Sequence, residues 1–134
     1  ECGKFYARPM SVWTMLLACQ GFVYDGPAGL IGFRPAWKPD DHVSFWTGAE
    51  GWGLFAQKRE AGRQTERIEV KRGKLQVKTL VFELPKDAKP SKLTVTLGDK
   101  PLEAAHDLKA GQLTLTLAAR TTVTDGQTLT IAAE

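Results

Sequence analysis

Alternation of apolar and polar side chains with a period of two dominates the second half of the chain and limits what it can fold into. Leu75, Val77, Thr79 and Val81 fall on one side of such a run. So do Leu93, Val95 and Leu97, then Leu113, Leu115 and Leu117, then Leu129 and Ile131, with threonines between the later ones. Successive side chains of a strand point to opposite faces, so each run predicts a strand with one face in a core and one toward water. Arg72-Gly73, Gly98-Asp99, Ala110-Gly111 and Asp125-Gly126 read as the turns between them. Upstream, Leu30 to Phe33 reads as a short strand ended by Pro35. His42 to Thr47 and Gly51 to Lys58 read as strands around a Gly48/Gly51 corner, and Ala61 to Thr65 as a linker or long loop. The remaining runs are Arg67 to Arg72, Lys74 to Leu84, Lys92 to Leu97, Gln112 to Leu117 and Thr128 to Ala132. The expected fold is mainly β, an antiparallel β-sandwich of about seven to eight strands preceded by one apolar N-terminal helix.

That helix is expected over Arg8 to Gln20. Pro9 suits the first helical position and Gly21 the position just past the end. Met10, Val12, Trp13, Met15, Leu16, Leu17, Ala18 and Cys19 are apolar, and only Ser11, Thr14 and Gln20 are polar. A helix apolar nearly all round needs neighbours on several sides. One small sheet covers one face, so the rest calls for a dimer partner or a further domain. All four Trp, both Tyr and five of six Phe precede residue 60, which again gives the first half more to bury than the second half offers. A length of 134 residues is room for one domain, or a domain plus part of a neighbour. The opening at Glu1, without Met or leader, reads as the interior of something longer.

Composition excludes several classes of function. Hydrophobic residues at 43% and charged residues at 25% are those of a globular chain. A net charge of +3, dispersed along the sequence, gives no nucleic-acid stripe. No apolar run is long enough to span a membrane. His42 and His106 are far apart and flanked by turn-forming Asp, so no metal site is expected, and nothing calls for a cofactor. Cys2 and Cys19 make no disulfide framework. Serine occurs only at Ser11, Ser44 and Ser91, without the glycine-flanked pattern of a nucleophile elbow. Asp40, Asp41 and Glu50 share the aromatic half, and glycoside hydrolysis needs two carboxyls facing one bond. Asp40-Asp41 after Pro39 reads more readily as a turn. Trp37, Trp46 and Trp52 are candidates for stacking on sugar rings, with packing under the first helix as the competing reading.

Residues 1–57 carry a resemblance. The run Glu1-Cys2-Gly3-Lys4-Phe5-Tyr6-Ala7-Arg8-Pro9 resembles the last shared stretch of glycoside hydrolase family 116, the non-lysosomal glucosylceramidases and bacterial β-glucosidases. There, E-C-G-x-x-Y-A-R precedes the final helix of an (α/α)6 barrel. Gln20 to Pro27, Gly32 to Pro35 and Ala49 to Gly53 are similar to the stretches that lead into a β-rich C-terminal extension. The resemblance implies that residues 1–21 are the terminal helix of such a barrel and residues 22–134 an accessory β-sandwich. It also implies that Arg8 contacts a sugar hydroxyl, a role suited to a guanidinium's directed donors. The family's catalytic carboxylates would lie ahead of Glu1, so no catalytic residue is expected here. The expected partners are carbohydrate and either the upstream barrel or a dimer partner over the helix. The alternatives are a stand-alone carbohydrate-binding module and a small autonomous glycan-active enzyme.

Overall fold

The computed structural model describes residues 10–134, and among them are one helix and ten strands. The helix α1 (Val12–Gln20) is followed by β1 (Val23–Asp25), β2 (Leu30–Phe33), β3 (Asp41–Thr47), β4 (Gly51–Glu60) and β5 (Arg63–Glu83). Then come β6 (Leu93–Leu97), β7 (Lys100–Pro101), β8 (Ala104–Lys109), β9 (Gln112–Thr124) and β10 (Thr128–Ala133).

β5 organises the molecule. Its first half lies between β4 and β10, and its second half between β2 and β9. One layer therefore runs β1-β2-β5-β9-β8 and the other β3-β4-β5-β10-β6-β7. The bend falls at Gly73, whose φ of 82° is open to glycine, and where a Cβ would stand 2.2 Å from the Glu50 carbonyl oxygen. The expected Arg72-Gly73 turn is thus the corner of one continuous strand. Ala61 to Thr65 is likewise no linker: Ala61 and Gly62, both with positive φ, make a two-residue turn whose twist suits a hairpin.

The mainly β sandwich is the expected fold, with ten strands rather than seven or eight. The antiparallel expectation has one exception, since β2 pairs with β5 in parallel. Between the layers, Phe33 stacks on Phe55 with ring centroids 3.8 Å apart, and Phe55 on Phe82 at 6.3 Å. Ile31, Ile68, Val70, Leu80, Leu113, Leu115, Leu117, Leu129 and Ile131 fill the rest of the core. The expected face of β5 is right only in part. Leu75 and Val77 point inward, but beyond them Leu80 and Phe82 do so, not Thr79 and Val81. A bulge between Val77 and Thr79 shifts the phase, and the Gly29 carbonyl there accepts from both Lys78 and Thr79 N–H.

α1 ends in a left-handed Gly21, where Gly21 N–H bonds to the Ala18 carbonyl and Phe22 N–H to that of Leu17. The last two carbonyls accept from the β2–β3 connection: Gln20 from Arg34, and Cys19 from both Ala36 and Trp37. All four terminal carbonyls are therefore satisfied, and the helix is fixed to the sandwich by backbone. The expected start at Arg8 and Pro9 lies outside the described residues.

Candidate functional site

Firmly attached as it is, α1 shows most of its apolar surface to solvent. Met10, Val12, Trp13, Met15 and Leu17 are exposed, Met15 by 65%. The contact it does make is with edge strand β3. Trp13, Leu16, Leu17 and Phe22 face Phe45 and Trp46 across a cleft of about 260 Å³. Below it, buried Gln20 accepts from Ser44 Oγ at 3.2 Å, and Ser44 Oγ lies 3.0 Å from His42 Nε2. His42 Nδ1 lies 2.9 Å from the Trp37 carbonyl, which can only accept, so Nδ1 carries a proton. The chain Gln20–Ser44–His42–Trp37 ties helix, edge strand and turn into one piece.

The apolar surface continues onto the outer face of the β3–β4 hairpin. Val43 pairs with Ala56, Phe45 with Leu54 and Thr47 with Trp52, all with outward side chains. Val43, Phe45 and Trp52 are exposed. Toward the other end of the hairpin this face becomes a charged groove of about 800 Å³, lined by Asp41, Lys58, Arg63 and Arg67 around Val43 and Ala56.

Of the residues singled out from the sequence, Arg8 lies outside the described residues. Trp37 is 60% exposed in the turn before β3, and the Lys38 ammonium lies 5.4 Å from its ring centroid. Trp52 is 48% exposed at the start of β4. Trp46 is only 1% exposed, which corrects its candidacy for sugar stacking. It points inward over Gly53, its partner on β4, whose missing side chain leaves room for the indole. Nor do Trp37 and Trp52 form one platform. They stand at opposite ends of the hairpin, separated by a seven-residue strand, roughly 20 Å at the usual rise.

The same spacing parts the carboxylates. Asp40 and Asp41 stand at one end of β3 and Glu50 beyond the other, far more than the separation of about 5–10 Å at which two carboxyls attack one glycosidic bond. Glu50 is engaged at 2.9 Å by Lys74, which holds its carboxyl below the ordinary value. Asp40 lies 3.7 Å from Arg59 Nη1. No helix among the described residues is long and apolar enough to cross a membrane.

Reasoning from sequence missed a buried polar row on the inner face of the second layer: His42 on β3, Gln57 on β4 and Glu66 on β5, each directly opposite the next. Gln64 Nε2 donates to Glu66 Oε1 at 2.5 Å and to the Glu83 carbonyl at 2.9 Å, and Arg59 Nε donates to Gln64 Oε1 at 2.7 Å. Burial pushes the Glu66 carboxyl up to about 7, against the opposing pull of Gln64 and Arg59. The signal was parity: Gln64, Glu66, Ile68 and Val70 share the inward side of β5.

No protein-family model matches the chain, and no curated protein matches it. Among solved structures it is similar to the alpha-L-rhamnosidase of Dictyoglumus thermophilum, a glycoside hydrolase, at a TM-score of 0.45 and 14% identity. The match covers 87% of this chain and 12% of that one.

Proposed function

We propose that the chain is the C-terminal part of a β-glucosidase or glucosylceramidase similar to glycoside hydrolase family 116. In this reading α1 is the last helix of the catalytic barrel, the strands form an accessory sandwich, and Arg8 contributes a contact to a sugar hydroxyl. The observation that carries it is a helix whose last two carbonyls are bonded to the β2–β3 connection while Met10, Val12, Trp13, Met15 and Leu17 face water. A soluble fold rarely fixes so apolar an element in place without something to cover it. The E-C-G…Y-A-R run directly ahead of α1 supplies the kind of neighbour. The catalytic carboxylates would be upstream, so the chain by itself would bind poorly and hydrolyse nothing.

The coding DNA upstream of Glu1 tests this. An in-frame helical barrel, with β-glucosidase activity in the joined protein, supports it; a start codon at Glu1 with no barrel overturns it. Exposure of Trp37 and Trp52 favours a second reading, a carbohydrate-binding sandwich with two separate stacking points. Titration with soluble glucans should then shift tryptophan emission, and W37A and W52A should each remove part of the shift. No shift with any glucan removes this reading.

A further inference from the structure

Two buried acceptor atoms on adjoining strands lack hydrogen-bond partners: Gln57 Oε1 and Glu66 Oε2. The two residues are directly opposite in the β4–β5 register and both point into the core, which places their Cβ atoms about 5 Å apart. An ionised carboxylate can only accept, and so can an amide oxygen, so two such atoms facing each other without water would each lose a hydrogen bond. A single hydrogen between them satisfies both.

We propose that Glu66 is held as the neutral carboxylic acid and donates its proton to Gln57 Oε1, and that this bond sets the amide orientation that clasps the turn carrying Trp37. The other end of that amide matters here: Gln57 Nε2 donates to the Pro39 carbonyl at 2.7 Å. If Glu66 loses its proton, the carboxylate demands a donor and the Gln57 amide turns to supply its NH2. Its oxygen then faces the Pro39 carbonyl, and the clasp opens. The shift of the Glu66 carboxyl toward neutrality points the same way. The titratable and charged groups around the pair are His42 on β3, opposite Gln57, Arg59 on β4, acting through Gln64, and Asp40 in the turn itself, beside Arg59. Glu83 offers only its backbone carbonyl, to Gln64 and Arg59, and the core residues of the facing layer, Ile31, Phe33, Leu80 and Phe82, are apolar.

The test is a carbon-detected NMR titration of the whole chain, following the Glu66 carboxyl, the Asp40 amide and the Trp37 indole N–H. The expected result is one midpoint near 7 for all three. E66Q, whose amide N–H2 replaces the acid's donor, should abolish the steps at Asp40 and Trp37 and keep their low-pH positions. A Glu66 midpoint in the ordinary carboxylate range overturns the proposal. So does a midpoint near 7 with Asp40 and Trp37 unmoved, or one that moves when potassium or calcium is added, which would put a cation between the two oxygens. If E66Q does not fold, the wild-type titration alone decides.

Discussion

At the scale of single residues, Glu66 dominates the pH behaviour. Unfolded, it titrates near 4.5, and folded near 7, so the native state holds an extra proton between those values. Its contribution is full below about pH 4.5, falls as pH rises toward 7, and is level above. The difference amounts to about 3 kcal/mol. Urea midpoints from pH 4 to 8 should decline in wild type relative to E66Q, and parallel curves would refute the assignment. Gly21 is the other telling position. A Cβ there would stand 2.2 Å from the Arg34 carbonyl oxygen, on a backbone with φ of 54°. G21A should cost about 1–3 kcal/mol and speed hydrogen exchange at the Arg34, Ala36 and Trp37 amides, which hold the helix end. Parity alone could have separated the tryptophans, since Trp46 shares the inward side of β3 with His42. Gln57 and Glu66 were legible by the same count, whereas their placement directly opposite each other needed the register between β4 and β5.

At the scale of elements, the strands and their turns were largely readable, because alternation survives in β6, β9 and β10. Failures came where distant chain decided the outcome. The phase flip in β5 depends on a carbonyl at Gly29, about fifty residues earlier. β8, with its Ala-Ala-His-Asp start, has weak strand preference and exists because β9 offers it an edge. The helix was legible as an apolar element, but its attachment through Cys19 and Gln20 carbonyls was not. V12E and M15E should leave the stability within about 0.5 kcal/mol of wild type, since both side chains lie largely in water outside the cleft against β3. The same changes should weaken any complex made through α1. F55A, by contrast, removes the ring stacked on both Phe33 and Phe82 and should cost about 3–5 kcal/mol.

At the scale of the whole molecule, β5 belongs to both layers, so neither can melt while the other persists. Far-ultraviolet and near-ultraviolet circular dichroism should report one coincident urea transition, and two separated ones would show that the bend at Gly73 uncouples the layers. A strand this central also decides where the molecule is free to vary. Positions along it answer to two partners at once, whereas β1, β3, β7 and β8 each hang from a single neighbour. Sequence drift, insertions and new contacts are therefore channelled to those rims, and β3, with the turn ahead of it, is the rim on which the exposed aromatics already gather.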